Sequence, residues 1–282
     1  MRWKTSTHTF DLHRSGLIIG ILNLTPDSFS DGGLWTSPDQ AVEHAHQMAA
    51  DGASIIDIGG ESTRPGAKPV SETEELQRVI PIIKKLSTSL NAAISIDTTK
   101  PSVALAAIQS GATIINDISG LRSQEMRQIA RQSRAGIIAM HMQGSPQTMQ
   151  SNPTYENVVA TILSFIHTTH QSLISEHIDP ESIVYDPGIG FGKTTQHNLQ
   201  ILKAIPNLCS SNRPLLVGAS RKSFIANSLQ SNQISERSWP TVAITSYART
   251  LGATLFRVHE VRRNHDALRM TEAILYPSSL SP

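Results

Sequence analysis

The chain alternates short apolar runs with longer amphipathic segments, and this alternation is its main structural signal. The apolar runs contain mostly Ile, Val, Leu and Ala, and each is followed by a polar, Gly-rich stretch. Short, nearly continuous apolar runs are typical of parallel strands that are buried on both faces. We therefore predict eight strands, at 17–22, 53–58, 93–97, 112–116, 136–140, 182–186, 214–218 and 253–258.

Amphipathic segments with recognisable ends lie between the predicted strands. Pro38 stands where a helix can begin, and Ser71 with Glu74 forms the pattern of a capping box. Pro81 is expected to kink its helix or to lie near its first turns. The predicted helices are 38–50, the segment after Ser71, the segment that Pro101 opens, and 122–133, 155–176, 196–204, 221–229, 236–251 and 261–275.

The order of these elements predicts the fold class. Strands that alternate with helices favour an α/β protein with a parallel sheet. Eight such units predict a single (β/α)8 TIM barrel. A doubly wound sheet is the alternative, because one sequence does not reveal whether the sheet closes. No Pro-, Gly- or Ser-rich linker interrupts the chain, so we expect one domain over 1–282 with its core at about 17–275.

Composition and charge exclude several classes of protein. The 24 Lys and Arg residues against 23 Asp and Glu residues give a net charge of +1, which provides no basic surface for nucleic acid. No apolar run is long enough to cross a membrane, and the N-terminus lacks the pattern of a signal peptide. The single cysteine, Cys209, excludes an internal disulfide framework. We therefore expect a cytoplasmic protein that acts on small molecules, with neither nucleic acid nor membrane as a partner.

Polar side chains recur at the carboxyl ends of the predicted strands, the end where barrel enzymes carry their active sites. A strand end often becomes polar simply because the chain leaves the core there, but this effect would explain only one or two of the polar residues found at these strand ends. We therefore predict a shared site at this rim. The residues are Asn23, Asp57, Asp97, Asn116 with Asp117, His141, Asp186, Ser220 to Lys222, Arg257 and His259.

The types of these residues indicate a nitrogen-rich ring and an anion as ligands. A carboxylate can accept two parallel N–H bonds from a guanidine-like ring edge. Lys222, Arg257 and His259 follow the last two strands, where barrels often bind phosphate. The side-chain oxygen of Asn23 suits a hard cation such as Mg²⁺.

The segment DPGIGFGKTT is similar to a phosphate-binding P-loop but does not match its spacing. That motif requires Gly five positions before its last Gly, and Pro187 stands there. We interpret the segment as a flexible loop after a strand that ends at Asp186.

Eight motifs, in order, resemble those of the dihydropteroate synthases, the folate-pathway enzymes that sulfonamides target. The resemblance extends from about 17 to 275. The motifs are GILNLTPDSFSDGG at 20–33, DIGGESTRPGA at 57–67, ISIDTTKP at 94–101, IINDISG at 114–120, MHMQGSPQTMQ at 140–150, YDPGIGFGK at 185–193, LLVGASRKSFI at 215–225 and FRVHEV at 256–261.

The resemblance implies a reaction. The amine of p-aminobenzoate would attack 6-hydroxymethyl-7,8-dihydropterin diphosphate, giving 7,8-dihydropteroate and pyrophosphate in the presence of Mg²⁺. It also implies a homodimer formed through the late helices.

The resemblance further assigns roles to residues around the ring and the anion. The pterin would be held by Asp97, Asn116, Asp186 and Lys222. The diphosphate would be held by Asn23, Arg257 and His259, with Asn23 also reaching Mg²⁺. The expected catalytic residues are Asp97, Asp186, Lys222, Arg257 and His259.

The second substrate and the closing loops complete the implied site. The p-aminobenzoate site would be formed by Thr63, Arg64, Pro65 and Ser220, with Phe191 beside it. Loops 24–36 and 59–70 are expected to be mobile and to close over the substrates. On these loops, Asp27 and Arg64 would meet the Mg²⁺–pyrophosphate and each other.

Two segments depart from the family pattern. Glu260 stands where Asp often follows the histidine of the last motif, and SWPTVAI at 238–244 replaces a stretch that commonly reads Arg, Gly and Thr. Both lie beside the expected site or outside it. We therefore expect these two departures to change local packing or the oligomer surface.

Two other functions remain as alternatives. A pterin-binding methyltransferase would share the pterin residues but would not need Arg64 or the SRKS and RVH motifs. A non-catalytic pterin-binding paralogue would be expected to lose Asp27, Arg64, Arg257 or His259. All of these residues are present in the chain.

Overall fold

Eight parallel strands form one sheet that curls into a barrel, with helices on its outer face. The structure is a computed structural model that describes residues 1–25, 37–64, 66–210, 212–230, 233 and 235–277. A hairpin of β1 (Arg2–Lys4) and β2 (Thr9–Asp11) precedes the barrel. The barrel strands are β3 (Leu17–Asn23), β4 (Ile55–Gly59), β5 (Ala93–Asp97), β6 (Ile114–Asp117), β7 (Gly136–Met140), β8 (Ile183–Asp186), β9 (Leu216–Val217) and β10 (Leu255–Val258).

The strand order confirms the barrel. Neighbours in the sheet run β8-β7-β6-β5-β4-β3-β10-β9, and every neighbouring pair is parallel. The two ends of this order meet where Tyr185 bridges to Leu215, and the Tyr185 backbone N–H donates to the Pro214 carbonyl at 3.1 Å. The fold is therefore a (β/α)8 TIM barrel, and the doubly wound alternative is wrong.

Helices follow the strands at the predicted places, with ends shifted by a few residues. They are α1 (Pro38–Ala50), α2 (Glu72–Ser87), α3 (Pro101–Gln109), α4 (Gln124–Ser133), α5 (Val158–Ser175), α6 (Thr195–Lys203), α7 (Ile205–Cys209), α8 (Ser223–Leu229), α9 (Ser238–Thr250) and α10 (Val261–Leu275). The short helix α7 was not predicted. In the part of the chain that the structure describes, no helix is both long and apolar enough to cross a membrane.

The predicted helix starts are largely confirmed by their caps. The Ser37 hydroxyl accepts from the Gln40 N–H, and Pro38 occupies the first turn of α1. At α2 the Ser71 hydroxyl accepts from the Glu74 N–H, but the Glu74 carboxylate bonds Arg78. The capping box is thus half formed, because Arg78, one turn later, offers that carboxylate a charged donor. Pro81 lies within α2.

Inward-facing residues change from apolar to polar along the barrel strands. Because side chains alternate between the two faces of a strand, every second residue points into the barrel. On β10 the inward positions read Leu255 and then Arg257, and on β8 they read Val184 and then Asp186. The apolar members join a buried cluster at the amino end of the barrel. The polar members therefore lie at the carboxyl rim. A separate and larger apolar core packs around the outside of the barrel.

The N-terminal hairpin closes the opposite end of the barrel. Trp3 is fully buried, packs with the inward apolar residues, and donates from Nε1 to the Ser182 carbonyl at 2.8 Å. Gly136 opens β7 beneath it, and a Cβ there would lie 2.8 Å from the Thr5 side chain. The sequence did not predict this hairpin, because strands of three residues are too short to show a period.

Candidate active site

The carboxyl ends of the barrel strands surround one polar pocket. Nine of the predicted site residues line it, together with apolar residues that the sequence did not single out, such as Ile118 and Met140. The lining is Ile21, Thr63, Asp97, Asn116, Ile118, Met140, Asp186, Phe191, Gly218, Ser220, Lys222, Arg257 and His259. A larger groove of about 550 Å³ lies between α5 and α6 and contains none of the predicted residues.

Arg257 lies at the centre of the charged groups. Its Nε donates to Asp57 Oδ2 at 2.6 Å, and its Nη2 donates to Asp97 Oδ2 at 2.7 Å. Asn116 Nδ2 donates to the same oxygen of Asp57 at 2.9 Å. Asp57 is fully buried, and among the described residues its Oδ1 has no hydrogen-bond partner. Asp57 was noted at a strand end but received no role, although it anchors both Arg257 and Asn116.

Burial controls the ionisation of the two carboxylates expected to face the pterin. It raises the pKa of Asp97 to about 7, against the opposing effect of the Arg257 guanidinium. Burial also raises the pKa of Asp186, while the Lys222 ammonium opposes the shift. Asp186 Oδ1 accepts from the Gly188 N–H at 2.7 Å, which fixes the carboxylate at the start of the following loop.

Lys222 crosses from the β9 end to the loop after β8. Its Nζ donates to the Ile189 carbonyl and lies 4.6 Å from the centre of the Phe191 ring. Gly190 makes this approach possible, because a Cβ there would lie 2.8 Å from the Lys222 side chain. Burial lowers the pKa of Lys222 to about 8, although Asp186 acts to raise it.

His259 and Ser220 form a second polar pair at the rim. The Ser220 hydroxyl lies 2.9 Å from His259 Nδ1 and accepts from the His259 backbone N–H at 3.2 Å. Burial, reinforced by nearby arginines, lowers the pKa of His259 to about 3. The imidazole is therefore neutral at pH 7 in this arrangement.

The loop after β8 is fastened by side chains that bond its backbone. Lys193 Nζ donates to the Phe191 carbonyl at 2.9 Å and lies 3.1 Å from His141 Nδ1. Tyr155 donates to the Gly192 carbonyl at 2.8 Å. Burial lowers the pKa of Lys193 to about 7. Lys193 was not predicted to have a role, and His141 contacts this lysine behind the loop.

Asn23 shares a row of the sheet with Gly59 and with Asp97, which lines the pocket. The register pairs Asn23 with Gly59, and Gly59 with Asp97. A Cβ at Gly59 would lie 3.8 Å from Asn23 Oδ1 and 3.7 Å from Asp97 Oδ2. Because Gly59 has no Cβ, Asn23 Oδ1 and Asp97 Oδ2 both face the same small space.

The loop after β4 is anchored at its base. The Glu61 carboxylate accepts from the Val70 N–H at 3.2 Å and also binds Lys100. Between these anchors, Thr63 reaches the pocket, and Arg64 is exposed. The predicted residues Asp27 and Pro65 lie outside the described residues, as does most of loop 24–36.

Comparison with known proteins gives consistent matches. Residues 19–259 match the family described as pterin binding enzyme. The dihydropteroate synthase of Synechocystis is 44% identical over 266 residues, covering 94% of this chain and 92% of the relative. The enzyme of the same name from Escherichia coli is 43% identical, covering 92% and 91%.

Solved structures agree. The Yersinia pestis dihydropteroate synthase in complex with a sulfonamide drug aligns with a TM-score of 0.92 at 40% identity, covering 98% of this chain and 99% of that one. The Xanthomonas albilineans enzyme in complex with 7,8-dihydropteroate aligns with a TM-score of 0.88 at 36% identity, with the same two coverages.

Proposed function

The chain belongs to the dihydropteroate synthases, which condense 6-hydroxymethyl-7,8-dihydropterin diphosphate with p-aminobenzoate, and we propose that the rim pocket carries out this reaction. One observation carries the assignment. The polar side chains of Asp97, Asn116 and Asp186 line the same pocket as the cations Lys222 and Arg257. A ring rich in N–H donors and an attached anion require this pairing of charges.

The pterin ring is assigned to the slot between the buried carboxylates and the apolar residues. Asp186 would accept two N–H bonds from the guanidine-like edge of the ring, while Asp97 and Asn116 bind its other polar atoms. Ile118 and Met140 form an apolar cluster with Phe191 packed against it, which suits the faces of a flat ring. The ligand's donors would favour the ionised form of Asp97, whose pKa burial raises.

The diphosphate is assigned to the β10 end of the pocket. Arg257 provides a fixed fork of donors, and Asn23 faces the same region from β3. Neutral His259 can accept at Nδ1 from the Ser220 hydroxyl and donate from Nε2 to a phosphate oxygen. These donors would stabilise the negative charge that grows on the leaving pyrophosphate.

The donor set fits Mg²⁺ bound together with the substrate. The nearby atoms are oxygens, Asn23 Oδ1 beside Asp97 Oδ2, and hard cations prefer oxygen. Among the described residues, no group of three or more His, Cys, Asp or Glu side chains could hold a metal by itself. We therefore assign Asn23 as a protein ligand, and Mg²⁺ would help to neutralise the diphosphate.

The p-aminobenzoate is assigned to the side of the pocket near the loop after β4. Thr63, Ser220 and Phe191 line that side, with Arg64 at its mouth and Pro65 next in the chain. The arylamine is neutral at pH 7 and attacks the methylene carbon as the bond to pyrophosphate breaks. Asp97 and Asp186 would stabilise positive charge that spreads into the pterin, so neither a nucleophilic side chain nor a strong general base is required.

A homodimer is proposed through α9 and α10, on the apolar residues that these helices expose. Trp239 and Tyr247 are 67% and 48% exposed on α9, and Met270 and Ile274 are 61% and 69% exposed on α10. Exposed apolar side chains clustered on two packed helices are typical of an interface. Light scattering at micromolar concentration should give twice the 30.7 kDa mass of the chain. We also propose a cytoplasmic location, which cell fractionation would test.

Pyrophosphate release tests the proposed function directly. The protein would be mixed with pterin diphosphate, p-aminobenzoate and Mg²⁺, and each component would be omitted in turn. We expect release only in the complete mixture, with 7,8-dihydropteroate formed in equal amount. Asp186→Asn is the matched variant, since it keeps the size of the side chain and removes its charge. Release that does not depend on p-aminobenzoate would contradict the proposal.

A further inference from the structure

The turn between Ser220 and Lys222 has a conformation that needs support. Arg221, at its centre, adopts a left-handed backbone conformation with φ of 57°. Such a conformation is strained for a non-glycine residue and persists only where surrounding contacts fix it. The contacts of Arg221 should therefore show what holds this turn.

Three contacts from later segments hold Arg221. Its Nη2 donates to Glu260 Oε1 at 2.6 Å, and its backbone N–H donates to Thr241 Oγ1 at 3.3 Å. Its carbonyl accepts from Arg237 Nη1 at 3.2 Å. Thr241 lies in α9 and Arg237 immediately precedes it, so the start of α9 and the end of β10 together clamp the turn.

Glu260 is the centre of this clamp. Its Oε1 also accepts from the Ser238 hydroxyl at 2.8 Å, and its Oε2 pairs with Arg263 at 2.9 Å. Partial burial acts to raise the pKa of Glu260, but the bonds from Ser238 and Arg221 hold it below its usual value. Glu260 and Ser238 belong to the two segments that depart from the family pattern, and the structure joins them.

Two consecutive pairs tie the turn to the end of β10. Ser220 contacts His259, and Arg221 contacts Glu260. Lys222 has separate anchors, since its Nζ bonds the Ile189 carbonyl and lies over Phe191. Loss of the Arg221–Glu260 pair should therefore disturb Ser220 more than Lys222.

We propose that Glu260, acting through Arg221, is a positioning residue that fixes the orientation of Ser220 and so sets the affinity for p-aminobenzoate. The inference rests on the proposed function, which places p-aminobenzoate beside Ser220. It gives the unusual Glu260 a role: its side chain is one methylene longer than Asp, so one carboxylate reaches both Arg221 and Ser238.

Steady-state kinetics of two variants test this inference. Glu260→Gln keeps the shape and removes the charge. Arg221→Gly removes the tether but adopts the left-handed conformation freely, which separates the tether from backbone strain. In each variant we expect the KM for p-aminobenzoate to rise about threefold to tenfold, as for loss of a partly exposed charged hydrogen bond. The KM for pterin diphosphate should change by less than about twofold, because Lys222 keeps its own anchors.

Asp266→Asn is the matched control. It removes the charge of an exposed ion pair with Arg262 on the same helix as Arg263, away from the turn. Both KM values should stay at the wild-type level in this variant. Equal rises in the two KM values, or an unchanged KM for p-aminobenzoate, would overturn the positioning role in an enzyme that still releases pyrophosphate. A wild-type protein that releases none would overturn the proposed function, and this inference with it.

Discussion

Arg257 forms ion pairs with two carboxylates at the rim pocket. Its guanidinium bonds Asp57 and Asp97 at the same time, and Asp57 also holds Asn116. A phosphate that attracted Arg257 would weaken its bond to Asp97, and that carboxylate could then accept N–H bonds from the ring. Under the proposed function, the pterin and the diphosphate of one substrate would therefore be coupled through this arginine.

Arg257→Ala should weaken the binding of pyrophosphate more than that of a phosphate-free pterin. It should also destabilise the fold, because removing one partner of a buried ion pair costs about 3–5 kcal/mol. Calorimetry with both ligands and a thermal melt would measure these effects. Arg257→Lys is the control, since it keeps the charge without the fork of donors. If both ligands lose affinity equally in Arg257→Ala, the diphosphate role is wrong.

Pterin binding should depend on pH through Asp97 and Lys222. Burial raises the pKa of Asp97 to about 7, so protonation below pH 7 removes the acceptor and weakens binding by about tenfold per unit. Burial lowers the pKa of Lys222 to about 8, so binding weakens again above pH 8. The raised pKa of Asp97 also affects the stability of the fold, and this effect has the opposite dependence on pH. A carboxyl with a raised pKa favours the folded state at low pH, and this stability is lost as pH rises through 7.

The variant Asp97→Asn separates the effect of Asp97 on pterin binding from the effects of the other titrating groups. Lys193 titrates near pH 7 as well, but it bonds carbonyls behind the loop after β8. His259, with a pKa of about 3, stays neutral throughout the range. In Asp97→Asn, titration of pterin affinity from pH 6 to pH 9 should therefore lose the limb below pH 7 and keep the limb above pH 8. An unchanged lower limb would show that a group other than Asp97 titrates there, such as Lys193 or Asp186, whose pKa burial also raises.

At the scale of the elements, the N-terminal hairpin is the largest feature that the hydrophobic periodicity did not predict. Its strands pair Arg2 with Asp11 and Lys4 with Thr9, and Trp3 between them fills the amino end of the barrel. The hairpin lies at the opposite end from the substrate pocket. We therefore expect the hairpin to contribute to the stability of the fold and not to catalysis.

Substitution of Trp3 should separate stability from activity. Trp3→Ala should cost about 3–5 kcal/mol of unfolding free energy through the cavity it leaves. Trp3→Phe should cost less, about 1 kcal/mol for the hydrogen bond to Ser182 plus a smaller cavity. Arg2→Ala is the control, because its ion pair with Glu181 is exposed. Urea unfolding measures the stability, and kcat at low temperature should stay unchanged. A large fall in kcat for folded Trp3→Phe would contradict this division.

The eight strand–helix units of the barrel could be predicted from the sequence because they repeat one local pattern, whereas closure of the sheet depends on the long-range contact of Tyr185 with Leu215. The inward direction of Asp57 also follows from strand alternation, but its partner Arg257 lies 200 residues away in the chain. No spacing rule connects such residues. The apolar slot of Ile118 and Met140 was missed for a related reason. A residue that packs on a ligand looks, in one sequence, the same as a residue that packs on a core.

The order of substrate binding should follow from the way the loop after β4 is held. Glu61 and Lys100 fix its base, while Thr63 lines the pocket and Arg64 is exposed. A bound Mg²⁺–pyrophosphate would order these residues and so favour the second ligand. We expect a sulfonamide to bind weakly at saturating pterin alone and at least about tenfold more tightly when Mg²⁺–pyrophosphate is added. Calorimetric titration compares the two conditions, and equal affinities would show a preformed pocket.

The burial of Trp3 has a consequence for how the molecule is made. Ser182, whose carbonyl the indole bonds, leaves the ribosome 179 residues after Trp3, and the packing partners of the indole extend to Leu255. During synthesis the indole therefore cannot reach its final site until the strands from β3 to β10 have emerged. The hairpin precedes the barrel strands in the chain and yet is among the last of the described elements to reach its place, and transfer of the indole out of solvent marks the completion of the barrel.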